Sequence, residues 1–152
     1  MMDTTEDTRA VVESFLATVR SGRAPELAGE YLAGRVRAHQ VESENPVIIE
    51  RTPDEYAAHV REMLDTWGPF ELSIDEFLVE GARAYVRFTQ IGRHVGPVAG
   101  FDPTGGEVRQ VNSVIYRVDS GRICEYWMQI DRAGLLSQLR SHASHDGRAV
   151  TD

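Results

Sequence analysis

The chain has no lysine. All sixteen of its basic side chains are arginine, so Schiff-base chemistry through a lysine amine is excluded. It has one cysteine, Cys124, which rules out an internal disulfide and fits a reducing, cytoplasmic setting. Its neighbours place Cys124 in a strand, where a small buried side chain is the expected role rather than a nucleophile. Basic runs are absent and the formal charge is −8, which argues against nucleic-acid partners and against a polybasic membrane anchor. No apolar stretch is long enough to span a bilayer. The start, Met1-Met2-Asp3-Thr4-Thr5-Glu6-Asp7, lacks the basic and apolar segments of a signal peptide. The skew toward Arg, Ala and Gly matches a GC-rich coding bias.

What is present is patterned as one domain, expected over residues 1–140, followed by a polar tail over 141–152 read as disordered. Thr5 to Arg20 carries an apolar face at Ala10, Val11, Phe15, Leu16 and Val19 at helical spacing, ended by Ser21-Gly22. Pro25 suits the first turn of a short second helix reaching about Leu32. Gly34 then breaks the chain before a short strand candidate, Val36-Arg37-Ala38-His39-Gln40. Thr52-Pro53-Asp54-Glu55 combines a cap, a first-position proline and a capping-box glutamate, so it predicts a helix carrying Tyr56, Val60, Met63, Leu64 and Trp67 inward until Gly68-Pro69.

From Phe70 the period changes to two, predicting strands at about 70–79, 83–94, 107–118 and 122–130, the last two joined by the tight turn Asp119-Ser120-Gly121. The Gly96-to-Gly106 connection reads as a loop, and a short helix follows Asp131. Helices first and a meander of long strands afterwards predict an α+β fold: a curved antiparallel sheet wrapped by N-terminal helices into a conical barrel with an internal pocket.

Strand parity sorts side chains between two faces without saying which face lines the pocket. Glu125, Trp127, Gln129 and Asp131 share one face of the last strand, and Cys124, Tyr126, Met128 and Ile130 the other. Val86, Phe88, Gln90 and His94 lie together, as do Val108, Gln110, Asn112, Val114 and Tyr116. Trp67, Phe88, Tyr116 and Trp127 are candidate apolar walls, and Gln90, Asn112 and Gln129 are strand amides that need partners if they face inward. An aspartate just before a helical pattern, as Asp131 is, ordinarily acts as a helix cap. No histidine spacing is that of a helical metal-binding pair, so no metal site is expected, and no phosphate loop or Ser or Cys nucleophile stands in a known setting.

Three segments together carry a resemblance: Gly92-Arg93-His94-Val95-Gly96-Pro97, Pro103-Thr104-Gly105, and Arg122-Ile123-Cys124-Glu125-Tyr126-Trp127-Met128-Gln129-Ile130-Asp131 with Gly134-Leu135-Leu136-Ser137-Gln138-Leu139 behind it. Over about His39 to Leu139 the chain resembles SnoaL-like polyketide cyclases, a branch of the nuclear-transport-factor-like cone fold. The resemblance implies that Asp131 is a buried acid/base, that His39 points toward it, and that His94 is a third catalytic candidate. It also implies a cofactor-independent cyclase of secondary metabolism, a homodimer, closing a ring in a hydrophobic polyketide-type intermediate by acid/base or Diels–Alder-type chemistry.

Aldol-type members carry a second histidine on the strand before the aspartate; Val108-Arg109-Gln110-Val111-Asn112-Ser113-Val114-Ile115-Tyr116 has none. Two other classes stand beside this reading. One is epoxide-hydrolase-like ring opening, for which no Asp-Arg-Asp constellation is legible. The other is a non-catalytic ligand carrier.

Overall fold

The computed structural model describes residues 4–151. The chain opens with helix α1 (Thr4–Phe15), which continues into a π-helical turn (Leu16–Arg20), and a 3₁₀ turn follows (Pro25–Glu30). Next come β1 (Leu32–Gln40), β2 (Val47–Arg51) and helix α2 (Pro53–Trp67). The meander is β3 (Glu71–Glu80), β4 (Arg83–Arg93), β5 (Glu107–Asp119) and β6 (Arg122–Ile130), and helix α3 (Arg132–Thr151) closes the chain. The expected α+β architecture is the one observed. Among the described residues, no helix is long and apolar enough to cross a membrane.

The six strands form one sheet in the order β2-β1-β6-β5-β4-β3. Register irregularities between Ile74 and Glu76, between Arg117 and Val118, and between Leu32 and Arg37 add the bends that curve such a sheet. Two features correct the expectation of a purely antiparallel meander. The short strand at 36–40 is a nine-residue strand running parallel to β6, with His39 opposite Trp127, so the sheet is mixed. Strand β2 pairs on its outer edge and was not expected. Gly34 had seemed a break; it falls inside the irregular part of β1, where a strand tolerates glycine. The helix after Asp131, expected to be short, runs to Thr151 through the segment read as a tail.

Helix α2 begins where the sequence signals it. Thr52 Oγ1 accepts the Glu55 backbone N–H at 3.2 Å and donates to the Glu55 carboxylate at 3.1 Å, with Pro53 in the first turn. Such a cap contributes about 1 kcal/mol. Gly68 ends the helix at φ +68°, where a side chain would be strained.

Alternation then decides what is buried. Ala84, Val86, Phe88 and Gln90 of β4, and Val108, Gln110, Asn112, Val114, Tyr116 and Val118 of β5, face inward. They pack against Val12, Phe15, Leu16 and Val19 of the N-terminal helix and Tyr56 and Val60 of α2. A second cluster, Trp67, Phe70, Val108 and Leu139 with Leu135 and Leu136 beside it, seats α3 across one end of the sheet.

The segment Gly92-Arg93-His94-Val95-Gly96 lies where β4 passes close to the end of α2. A Cβ on Gly92 would fall 2.7 Å from the Trp67 carbonyl oxygen, and one on Gly96 2.5 Å from that of Asp65. The two glycines are therefore required by backbone contact. Val95 and Gly96 both donate N–H groups to the Thr66 carbonyl, which fixes the crossing.

Candidate active site

The inner face of the sheet meets α2 and the π-helical turn in a narrow cleft of about 20 Å³ lined by Arg20, Tyr56, His59, Met63, Phe88, Val114, Tyr116, Tyr126 and Met128. Three tyrosines form its floor: the Tyr56 and Tyr126 rings are 6.2 Å apart and the Tyr116 and Tyr126 rings 5.9 Å apart, with Phe15 behind, 5.4 Å from Tyr56. Burial raises the pKa of all three phenols, against the pull of the Arg20 charge and, at Tyr126, of the Arg51 charge and a hydrogen bond with it, so they stay protonated. His59 is shifted the other way. Burial, then the charges of Arg51 and Arg20, lower its pKa and favour neutral imidazole, against the weaker pull of Glu62.

Arg20 is 6 % exposed and sits between two rings, its Cζ 5.1 Å from the Phe88 centroid and 5.6 Å from that of Phe70. Its Nη1 is buried without a hydrogen-bond partner. The residue is delivered by the π-helical turn Leu16–Arg20; such single-turn insertions are frequent at functional sites. Phe70 also lines an open groove of about 830 Å³ between the N-terminal helix, α2 and β3, where Leu16, Ala17, Leu64, Leu72, Ile74 and Phe77 give apolar wall and Glu13, Arg23 and Glu71 add charged side chains.

Of the residues singled out from the sequence, Phe88 and Tyr116 line this cleft. Gln90 and Asn112 lie on the same inner face: Asn112 is opposite Phe88, and Gln90 is opposite Gln110. Asn112 donates to the Gln110 carbonyl at 3.2 Å, while Gln90 Oε1 is buried without a partner. Trp67 is buried one cluster away, beside His94 at a ring separation of 5.7 Å.

The three catalytic candidates are not brought together. Asp131, expected buried, is exposed: its Oδ1 accepts the Gly134 N–H at 3.0 Å and its carbonyl accepts from Leu135, so it caps α3. A Cβ on Gly134 would run into that carboxylate, which explains the glycine of the Gly-Leu-Leu segment without chemistry. His39, expected to point at Asp131, lies on the outer face of the sheet. It stacks on Trp127 at 4.9 Å and donates from Nε2 to Glu125 Oε2 at 2.6 Å. Arg117 holds the other oxygen of Glu125 at 3.1 Å, and Arg83 covers the Trp127 ring. Trp127 and Gln129 thus line an outer depression with Tyr85, Ser113 and Ile115 rather than the interior. His94 is fully buried, and neither ring nitrogen has a protein partner. Among the described residues, no three His, Cys, Asp or Glu side chains gather as a metal site would require.

Comparison with known proteins gives this geometry its family. The family model described as SnoaL-like polyketide cyclase matches residues 10–139. The chain belongs to that family. No curated protein sequence matches it. Among solved structures it is similar to a candidate polyketide cyclase of Acidithiobacillus ferrooxidans, at 20% identity and TM-score 0.80 over 93% of this chain and 100% of that one. It is similar to TsrD of Streptomyces laurentii at 28% identity and TM-score 0.74, covering 91% and 98% of the two chains. It is also similar to an LEH-like epoxide hydrolase of Mycobacterium tuberculosis at 20% identity and TM-score 0.68, covering 93% and 91%. The likenesses at 20% establish the cone fold alone.

In this SnoaL-like chain the cleft is also lined by polar residues that were not singled out: Arg20, His59 and Tyr126. Two of them left a signal. Arg20 follows Leu16 by four positions and Val12 by eight, on the apolar stripe itself. His59 follows the inward-facing Tyr56 by three, on the same face of α2. Tyr126 belonged to the face of β6 that parity grouped with Met128, and only the helices show that this face is the inner one.

Proposed function

We propose that this protein is a cofactor-independent cyclase that closes a ring in a polyketide-type intermediate, and that the ligand's reacting carbonyl engages the Arg20–tyrosine cleft. The observation that carries the reading is that cleft. It sets a histidine biased toward its neutral, proton-accepting form beside three protonated phenols and a buried guanidinium, and no carboxylate lines it. His59 serves as the base that removes a proton α to a carbonyl. The hydroxyls of Tyr56 and Tyr116 donate to the enolate oxygen that forms. Phe88 and Met128 close the apolar sides of the cleft around that oxygen. A wall that only folds a polyene into a reactive shape, as in Diels–Alder-type closure, remains the second chemistry. It is favoured by the exposed position of Asp131, which removes the expected carboxylate base from the interior.

Deleting the gene in its host and profiling metabolites by mass spectrometry tests the reading. Accumulation of an uncyclised precursor, equal in mass to the product or heavier by one water, is expected. Complementation with His59→Gln then separates the chemistries: proton transfer lowers product formation by roughly 10²–10⁴-fold, and shape-only catalysis leaves it nearly intact. An unchanged profile after deletion would overturn the cyclase reading in favour of a ligand carrier. The protein is further proposed to act in the cytoplasm as a homodimer packed through the outer sheet face, where Ile48, Val111 and Ile115 are exposed; sedimentation at twice the 17.0 kDa chain mass checks this.

A further inference from the structure

We propose that Arg20 is an anion-binding residue: the ligand carries an acidic oxygen, an enolate or a carboxylate, that pairs with Nη1, while its apolar body lies in the groove that Phe70 also lines. The proposal rests on the cleft being the ligand site.

Burying a guanidinium is costly unless it is paired, and buried charges in proteins are almost always matched. This chain has 24 acidic residues against sixteen arginines, so partners are abundant in composition. Yet among the described residues no carboxylate forms a salt bridge with Arg20, and its contacts are the faces of Phe70 and Phe88. Arg51 adds a second cation nearby whose Nε is also buried and unpartnered. Among the described residues that line the cleft none is a carboxylate, so it offers a guanidinium and phenol hydroxyls and no anion to match them.

Size divides the ligand in two. A space of about 20 Å³ admits one water-sized group, since a single water needs roughly 10–15 Å³ on the same measure. It therefore takes an oxygen and no ring. The groove of about 830 Å³ has room for a polycyclic or polyene body. Phe70 lines the groove and forms one of the two faces that hold the guanidinium, so the anionic head and the apolar body meet at that ring. The ligand class is an amphipathic acid or acidic enol.

Two matched pairs of probes test this by titration calorimetry at about pH 8. They are 4-hydroxycoumarin, an enolate at that pH, against 4-methoxycoumarin, and 1-naphthoate against 1-naphthamide. The wild-type protein is expected to bind at least one anion about 10- to 100-fold more tightly than its neutral counterpart, the scale of one charge-assisted hydrogen bond. Which pair shows the preference distinguishes enolate from carboxylate. Arg20→Gln removes the preference by weakening the anion more than its neutral counterpart, and Arg20→Lys restores part of it. Equal affinity for anion and neutral probe in wild type, no binding of either anion, or an undiminished preference in folded Arg20→Gln would overturn the proposal. The wild-type comparison needs no variant, so it stands even where Arg20→Gln fails to fold. Failure of the cyclase reading is seen separately: the gene deletion would leave metabolites unchanged while the anion preference persisted.

Discussion

Replacing Asp131 by asparagine and by alanine distinguishes a helix cap from an acid/base catalyst. The side chain is exposed, and Oδ1 accepts the Gly134 N–H at 3.0 Å. Asparagine retains a cap oxygen and loses only the attraction of a charge to the helix N-terminus, about 0.3–1 kcal/mol. Alanine loses the cap, about 1 kcal/mol and at most about 2. For a chain of this size 1 kcal/mol moves Tm by roughly 2–4 °C. The expected order by differential scanning calorimetry is therefore wild type, then Asp131→Asn lower by about 1–3 °C, then Asp131→Ala lower by about 2–6 °C. Product formation in the complemented deletion strain should stay within about threefold of wild type for Asp131→Asn, because nothing in the interior touches that carboxylate. A general acid or base would instead cost about 10²–10⁴-fold. Loss of a hundredfold or more in a variant whose Tm is unchanged would refute the cap reading and return Asp131 to the reaction.

Glu125 predicts a pH dependence of stability. Burial raises its pKa, but hydrogen bonds from His39 and Arg117 outweigh that and hold it below the ordinary value of 4.5. A carboxylate depressed in the folded state stabilises above its unfolded pKa, and that stability is lost as pH falls through the folded value. Thermal melts from about pH 7 down to pH 3 should therefore show a decline below about 4.5 that is shallower in Glu125→Gln, with Glu125→Gln less stable by about 1–3 kcal/mol at pH 7; parallel curves would contradict it. Gly92→Ala should destabilise by about 1–3 kcal/mol, read from urea midpoints, because its Cβ meets a backbone carbonyl that cannot swing aside; a neutral result would show that β4 and α2 are not held at this spacing.

Periodicity and punctuation carried most of the architecture. Strands at 83–94, 107–118 and 122–130 match β4, β5 and β6 to within a residue at either end, because alternation is strict and Asp119-Ser120-Gly121 fixes the hairpin. The Thr52-Pro53-Asp54-Glu55 start of α2 is visible because every residue in it has a local reason to be there. What was not legible is non-local. The parallel pairing of β1 with β6 depends on a crossover through β2, α2 and the whole meander, and it carries His39 to Trp127 on the outer face rather than to Asp131.

Parity grouped the residues of each strand correctly but could not say which group faces the helices, since both faces of β6 hold apolar side chains. That choice is made by Tyr56 and Phe15, which need aromatic partners and find Tyr116 and Tyr126. Once Tyr126 is inside, Trp127 and Gln129 must be outside, and the interior loses two of its expected contacts together. The cation that replaces them comes from the π-helical turn that ends the first helix. An α-helical reading ends at Ser21-Gly22 and leaves Arg20 as a last-turn cation. In the structure Arg20 ends the π-helical turn and lies over the Phe70 and Phe88 rings. Helical spacing and the π-helical turn together leave Arg20 among aromatic rings, and a guanidinium held there without a carboxylate is accounted for when the ligand supplies the negative charge.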